Sequence, residues 1–149
     1  MQYWLIKTEP TAYSIDDLKR DKKTSWEGVR NYQARNFMRD MAVGDRVLFY
    51  HSSCEVPGVY GMAKVAAKAH ADATQFDRKD SHFDPKARKE KPIWECVDVA
   101  FVTKFKKPIA LVAIKREKAL KGMVLVQPGS RLSVQPVTKT QFDCIVEMA

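Results

Sequence analysis

Two neighbouring strand-like segments in the middle of the chain most constrain its fold. Residues 46–51 read RVLFYH, a run dense in β-branched and aromatic side chains, which is typical of a central strand. A Pro-Gly turn follows, and then residues 59–65, where the small residues Gly61 and Ala63 alternate with larger ones. Small residues on one face let a neighbouring strand come close. The pattern therefore predicts a tightly curved, barrel-like sheet.

The clearest helical pattern lies just before these strands. Ala34, Phe37, Met38 and Met41 recur at positions i, i+3, i+4 and i+7, which is the apolar stripe of an amphipathic helix. Asn31 is well placed to cap the N-terminus of this helix. We therefore predict a helix that begins after Asn31.

Two capping-box patterns mark further helix starts. Ser14 is followed three residues later by Asp17, and Thr138 is followed in the same way by Gln141. We therefore predict a short helix over residues 15–18 and a closing helix after Thr138.

The remaining elements follow from apolar runs bounded by proline and glycine. We predict a first strand over 3–7, a long bent strand over 94–105, helical stretches over 108–114 and 120–125, and a final strand over 132–137. Strands that are adjacent in the middle of the order predict the α+β class with a mostly antiparallel sheet. The 149 residues are predicted to form a single domain, 1–149.

The amino-acid composition limits the classes of possible binding partner but does not identify one. The formal net charge is +8, which favours polyanionic partners and leaves nucleic acid, acidic substrates and anionic membranes open. The three cysteines are far apart, so neither a disulfide framework nor a zinc knuckle is predicted. No apolar window approaches the roughly 20 residues of a membrane span, and the first residues lack a leader pattern. We expect a cytoplasmic protein without a membrane partner.

The densest set of candidate ligand-binding side chains lies at the predicted loop-to-helix junction, residues 26–36. The free backbone N–H groups of such a junction favour an anion, and an indole and amides suit the face and edge of a nucleobase. Two alternatives stay open, namely that Trp26 is only a packing residue and that Asn31 is only a cap. The base-binding candidates are Trp26, Asn31, Tyr32 and Gln33, and the phosphate-binding candidates are Arg30 and Arg35.

Other candidates lie at a strand end, a turn and a charged loop. The charged segment 76–92 is long for a structureless loop and is predicted to be a surface loop or binding lip, with Trp94 beside it. Trp94 is either a second aromatic residue of the site or a core residue. Further base-binding candidates are Tyr50, His51, Ser52, Ser53, Ser130, Leu132 and Ser133, and further phosphate-binding candidates are Lys86, Arg88 and Arg131.

The sequence predicts no catalytic residue, metal or cofactor. His51 and Ser52 are adjacent on a strand, so their side chains point to opposite faces and do not form a catalytic pair. The spacing of the acidic residues and histidines within 70–84 matches no common metal-binding pattern. Lys7, Thr8 and Glu9 either orient a ligand or form a local ion pair.

Five sequence blocks together resemble one known family. The chain is identified as a member of the EVE domain family of the PUA-like superfamily. The blocks are WLIKTEP at 4–10, WEGVRNYQARNF at 26–37, GDRVLFYHS at 44–52, PGVYGMAKV at 57–65 and RLSVQPV at 131–137.

The resemblance implies a PUA-like, mostly antiparallel β pseudobarrel with flanking helices, related to the YTH and SRA readers of methylated bases. It also implies a non-enzymatic module that binds a modified base, chiefly modified cytosine in DNA rather than RNA. Trp26 would stack on the flipped base, while segments 31–35, 50–53 and 130–135 would surround it. Two alternatives stay open. One is a small amidohydrolase acting on a modified nucleoside through Lys7, Thr8 and Glu9, as in some ASCH domains, and the other is an RNA-binding PUA-like factor.

Overall fold

The computed structural model describes residues 1–149 and contains six strands and four α-helices. The strands are β1 (Tyr3–Thr8), β2 (Lys23–Ser25), β3 (Arg46–His51), β4 (Gly58–Ala71), β5 (Glu95–Ala110) and β6 (Val134–Val137). The α-helices are α1 (Ile15–Asp21), α2 (Tyr32–Asp40), α3 (Leu111–Arg116) and α4 (Lys139–Met148).

All six strands belong to one mixed sheet with the order β2-β5-β4-β3-β1-β6. Strand β1 pairs in parallel with β3, because the intervening chain crosses over through α1, β2 and α2. The other strand pairs are antiparallel. The predicted α+β class with a mostly antiparallel sheet is confirmed.

Strand β4 approaches β5 so closely that two of its positions have room only for glycine. A Cβ atom at Gly58 or Gly61 would overlap the carbonyl oxygen of Ile109 or Thr103, respectively. The register between the two strands also shifts at several points, which bends the pair. The close approach predicted from the small residues of this segment is confirmed.

The sheet buries a core on each of its faces. On one face, Ile6, Trp26, Met38 and Phe49 belong to a cluster beside α1 and α2. On the other face, Leu5 belongs to a cluster that includes residues of α3 and α4. Because neighbouring strand residues point to opposite faces, Leu5 and Ile6 of β1 contribute to different cores.

The predicted helix caps are present. The Asp17 N–H donates to Ser14 Oγ at 3.1 Å, and the Ser14 N–H donates to Asp17 Oδ2 at 2.8 Å. Thr138 and Gln141 form the same reciprocal pair at the start of α4. Helix α2 begins after Asn31, as predicted.

Three elements differ from the sequence-based expectation. Strand β2 was not predicted, because its three residues have no apolar run of their own and are defined by pairing with β5. Residues 108–110, predicted as helical, continue β5, where Ile109 pairs with Val59. The stretch 120–125 contains parts of two 3₁₀ turns, Lys118–Leu120 and Val124–Val126, rather than one helix.

None of the helices combines the length and apolar composition that crossing a bilayer would require. The three cysteines are free thiols in the structure.

Candidate nucleic-acid interface

A cavity of about 430 Å³ opens beside Trp26, where the end of β1 meets β2 and the loop that leads into α2. We call it the base cavity. Pockets of this size commonly hold small ligands. Its walls are formed by Lys7, Thr8, Ala12, Tyr13, Thr24, Ser25, Trp26, Glu27, Gly28, Val29, Arg30, His82 and Ser133.

Packing on two sides fixes the Trp26 ring at the cavity. It meets Phe49 edge to face at 5.5 Å and Tyr13 at 6.1 Å between ring centroids. Only 8% of the residue is exposed. Trp26 is therefore both a core residue and a wall of the cavity, which reconciles the two interpretations of the sequence.

Trp26 differs from the other tryptophans in its free hydrogen-bond donor. The indole N–H of Trp4 donates to Asp45 at 3.1 Å, and that of Trp94 donates to Asp84 at 2.8 Å. The Trp26 indole N–H, in contrast, donates to no carboxylate or other protein group. A buried indole usually finds a partner. Trp26 is thus the tryptophan with a donor to spare for a ligand.

Polar groups of both signs line the base cavity. Lys7, Thr8 and Ser133 can donate hydrogen bonds, whereas the ionised Glu27 carboxylate only accepts. Burial lowers the pKa of Lys7. Burial, together with the nearby negative charges of Asp72 and Asp80, raises the pKa of Glu27. An ammonium donor, a carboxylate acceptor and hydroxyl groups that can do either suit a base edge such as that of cytosine, which presents two acceptors and an amino group.

Gly28 brings the backbone against the loop that covers the cavity. Its φ of +85° lies in the left-handed region, and an added Cβ would lie 2.8 Å from the imidazole of His82. The His82 ring is held in turn by Asp80, with 3.0 Å between Nδ1 and Oδ1. Glycine at this position therefore lets His82 close over the cavity wall.

Arg30 ties this loop to the cavity wall. Its guanidinium group donates to the backbone oxygens of His82 and Val29, to Asp72 Oδ2 at 3.0 Å and to Thr74 Oγ1 at 2.9 Å. These contacts use all five N–H donors of the side chain. No donor remains for a phosphate, so the phosphate-binding role expected of Arg30 is replaced by a structural one.

Two fully buried side chains hold the base of the same loop. Burial alone would raise the pKa of Asp72, but hydrogen bonds from Thr74, Gly28 and Arg30 outweigh it and hold the pKa below its usual range. The Gln75 side chain donates to the carbonyl oxygens of Asp72 and Trp94 and accepts from two backbone N–H groups. The predicted binding lip is therefore anchored rather than loose at its base.

A second, wider depression lies beside the base cavity and has a volume of about 1090 Å³. We call it the basic groove. Its charged residues are Arg35, Lys86, Arg88, Lys89, Glu90 and Lys91, five cations and one anion. It brings together three of the predicted phosphate-binding residues, Arg35, Lys86 and Arg88. Arg131 is exposed and lies outside both depressions.

Trp94 lines neither depression but is approached by one arginine from each. The residue is 5% exposed, and its ring lies 4.8 Å from that of Tyr32. The guanidinium carbons of Arg30 and Arg35 approach the Trp94 ring at 5.4 Å and 6.0 Å. Trp94 is therefore a buried support for Tyr32 and the two arginines. Of the two roles predicted from the sequence, a second aromatic residue of the site or a core residue, this position fits the core role.

Three predicted base-binding residues at the start of α2 lie outside the base cavity. Asn31 uses its side-chain oxygen to accept from the Ala34 N–H at 2.9 Å, so it serves as the helix cap. Gln33 is exposed on α2. Tyr32 is also outside the cavity, on the surface above Trp94.

The end of β3 contacts two cavity residues, since the Ser52 N–H donates to the Thr8 oxygen at 2.9 Å and Lys7 Nζ lies 5.7 Å from the centroid of the Tyr50 ring. Tyr50 and His51 are buried, and His51 Nε2 accepts from the Ile15 N–H at 3.1 Å, which anchors the start of α1. Burial lowers the pKa of His51. Ser52 and Ser53 lie in the turn that follows, and Ser53 has a positive φ of 53°. These four residues do not line the base cavity.

The turn before β6 contributes one residue to the cavity. Ser133 lines it, and its backbone oxygen accepts from the Lys7 N–H at 2.8 Å. Leu132 packs against the core beside α2, and Ser130 lies further back in the turn.

Several cavity residues were not predicted as base-binding. Tyr13, Thr24, Ser25, Glu27 and His82 come from four separate segments, so spacing along the chain gives no indication that they meet. Glu27 is adjacent to Trp26, and its position inside the block WEGVRNYQARNF was the one available signal.

Comparisons with known proteins agree on one family. The EVE domain model matches residues 2–148. Thymocyte nuclear protein 1 of Gallus gallus is 45% identical, over 98% of this chain and 68% of the relative. A crystal structure from Pseudomonas syringae is 48% identical, covers 98% of both chains and superposes with a TM-score of 0.95.

One solved structure also carries a ligand. Human THYN1 protein, crystallised in complex with 5-methylcytosine-containing DNA, is 40% identical to this chain. The match covers 99% of this chain and 97% of that one, with a TM-score of 0.94.

Proposed function

The chain belongs to the EVE domain family, and from that premise we propose that it is a non-enzymatic nucleic-acid-binding protein that recognises a modified cytosine in DNA. The observation that carries the proposal is the base cavity, in which the Trp26 indole lies between two aromatic rings with its N–H free. The human relative crystallised with 5-methylcytosine-containing DNA supports the choice of base and polymer.

The contacts in the cavity can be assigned by chemistry. The Trp26 ring offers an aromatic surface to the base, and Lys7 and Ser133 donate to its oxygen and ring nitrogen. Glu27 accepts from the exocyclic amino group, a contact that thymine, which has an oxygen there, does not offer. Discrimination against thymine therefore follows from the single carboxylate of the cavity wall.

The energy balance requires contacts outside the cavity. Extruding a base from a duplex costs a few kcal/mol, whereas one aromatic stack returns about 1–3 kcal/mol. Phosphate contacts in the basic groove, from Arg35, Lys86 and Arg88, supply the remainder. Binding is therefore salt-sensitive and stronger on single-stranded or distorted sites than on intact duplex.

Two other functions were considered from the sequence. For an amidohydrolase, Lys7 and Thr8 lie at the cavity, but Glu9 does not line it, so the three residues are not assembled around one substrate. Incubation with N4-acylated cytidine and detection of released product tests this alternative. For an RNA-binding factor, competition between matched RNA and DNA strands is the test, because RNA alone offers the 2′-hydroxyl. The cytoplasmic location stays a prediction.

Fluorescence anisotropy with labelled oligonucleotides tests the proposal. Single-stranded DNA with one central 5-methylcytosine is compared with the unmodified strand for the unchanged protein and for Trp26→Ala and Trp26→Phe. We expect tighter binding of the modified strand, loss of that preference in Trp26→Ala, and partial retention in Trp26→Phe, which keeps a ring but lacks the N–H. Equal affinity for both strands, unaltered by Trp26→Ala, would refute the proposal.

A further inference from the structure

An exposed aromatic ring, that of Tyr32, packs on Trp94 and has no role in the proposal above. Tyr32 is 59% exposed, which is high for a large aromatic residue at the first turn of a helix. Its ring lies 4.8 Å from the Trp94 ring with 32° between the planes. Trp94 is fixed in turn, because its N–H donates to Asp84. Tyr32 is therefore an exposed ring on a rigid support.

Tyr32 is linked to both the base cavity and the basic groove through Trp94. Arg30 belongs to the wall of the cavity and Arg35 to the groove, and both approach the Trp94 ring beneath Tyr32. The Arg35 guanidinium carbon also lies 4.8 Å from the Tyr32 ring centroid. A strand that passes from the cavity to the groove over Trp94 would meet the exposed Tyr32 ring.

Arg35 keeps hydrogen-bonding capacity for such a strand. Its guanidinium group donates to the Ile93 oxygen at 2.9 Å and to the Asn36 side chain through two nitrogens. Three of five donors are thus used within the chain, and two remain. Arg30, by contrast, has none left. The phosphate contact nearest Tyr32 therefore falls to Arg35.

We propose that Tyr32 stacks on the base next to the one held in the base cavity, and that the strand continues into the basic groove. The inference rests on the proposed function and specifies its partner further. That partner is an unpaired DNA segment of at least two nucleotides. Extruding one base deprives its neighbour of a stacking partner, and an aromatic platform beside cationic side chains replaces it. Four exposed cations from one loop then follow the backbone, Lys86, Arg88, Lys89 and Lys91.

The test combines a protein variant with a change in the DNA. Two single strands carry the same central 5-methylcytosine, and in one of them the flanking nucleotides are abasic. Affinities are measured for the unchanged protein and for Tyr32→Ala, Tyr32→Leu and Tyr32→Phe. Tyr32→Leu keeps apolar contact with Trp94 but lacks an aromatic face, so it covers the case in which the alanine variant is unstable.

We expect the unchanged protein and Tyr32→Phe to bind the intact strand about tenfold more tightly than the abasic-flanked strand. We expect Tyr32→Ala and Tyr32→Leu to bind both strands with the lower affinity. A tenfold difference that persists in Tyr32→Ala and Tyr32→Leu would overturn the inference. Failure of the proposed function has a different signature, because the preference for 5-methylcytosine over cytosine would then be absent or unaffected by Trp26→Ala on either strand.

The groove is tested by salt dependence. The double variant Lys86→Ala/Arg88→Ala is compared with Lys115→Ala/Lys118→Ala, which removes the same charge from exposed residues outside the groove. We expect the magnitude of the slope of log affinity against log salt to fall by about 1.4 for the groove variant on single-stranded DNA and to stay unchanged for the other. Equal slopes for the two variants would contradict the proposed path.

Discussion

Arg30 illustrates how a residue that looks suited to ligand binding is used for structure. A guanidinium group beside a tryptophan predicts phosphate contact from the sequence, yet every donor of Arg30 is engaged by the loop and by the buried Asp72. Arg35, five positions on, keeps free donors at the groove. Sequence cannot distinguish the two, because all the partners of Arg30 except the neighbouring Val29 lie more than 40 positions away.

Arg30→Lys tests this assignment. Lysine keeps the positive charge but cannot reach His82, Thr74 and Asp72 together. The buried Asp72 carboxylate therefore loses part of the hydrogen bonding that stabilises its charge. We expect the free energy of unfolding to fall by about 2–4 kcal/mol, measured by urea denaturation. Arg131→Lys, at an exposed position, is the control and is expected to leave stability unchanged. A fully stable Arg30→Lys protein would show that the guanidinium network is dispensable.

Gly28 gives a second test, with a built-in comparison. Gly28 and Gly44 both have positive φ, but an added Cβ meets His82 only at Gly28 and nothing within 4 Å at Gly44. We expect Gly28→Ala and Gly44→Ala each to lose about 1–2 kcal/mol of stability in urea denaturation from backbone strain. Only Gly28→Ala should also weaken binding of modified DNA, because it displaces the imidazole at the cavity wall. If both variants bind modified DNA equally well, His82 has no part in binding.

Among the elements, those defined by local chemistry follow the sequence and those defined by pairing do not. The capping boxes of α1 and α4 and the apolar stripe of α2 involve residues within one or two turns, so they were predicted correctly. The short strand β2 exists because Ser25 pairs with Asp98, far along the chain. The base cavity could not be predicted for the same reason, since it collects residues from β1, β2 and four connecting segments.

Variants of Asn31, the N-cap of α2, distinguish an effect on stability from an effect on DNA recognition. Asn31→Ala removes the acceptor of the Ala34 N–H and is expected to cost about 1 kcal/mol in urea denaturation, whereas Asn31→Ser restores a cap. We expect both variants to retain the preference for 5-methylcytosine, because Asn31 lies outside the base cavity. An Asn31→Ser protein that is stable but has lost that preference would place the amide in contact with the base.

At the scale of the whole molecule, buried titratable groups link stability to pH. Burial lowers the pKa of His51, whose Nε2 accepts from the Ile15 N–H and is therefore unprotonated. The unfolded imidazole binds a proton below about pH 6.5, so the unfolded state is favoured as the pH falls through that value. Asp72 has its pKa held down in the fold, so its contribution is present above about pH 4 and is lost below it.

His51→Gln isolates the first of these effects. Glutamine offers an acceptor to the Ile15 N–H without titrating. We expect the unchanged protein to lose stability relative to this variant between about pH 6.5 and 5, with a slope of at most about 1.4 kcal/mol per pH unit. Urea denaturation at several pH values measures the difference. A constant difference between the two proteins over this range would show that His51 does not carry the linkage.

The most direct measurement follows the indole N–H groups by ¹H–¹⁵N NMR. The three tryptophans give three indole signals, assigned by Trp4→Phe and Trp94→Phe. Titration with single-stranded DNA containing 5-methylcytosine should shift the Trp26 signal strongly, because Trp26 lines the base cavity, and leave the Trp4 signal, bonded to Asp45, in place. A Trp26 signal that stays unchanged while the DNA binds would contradict the account.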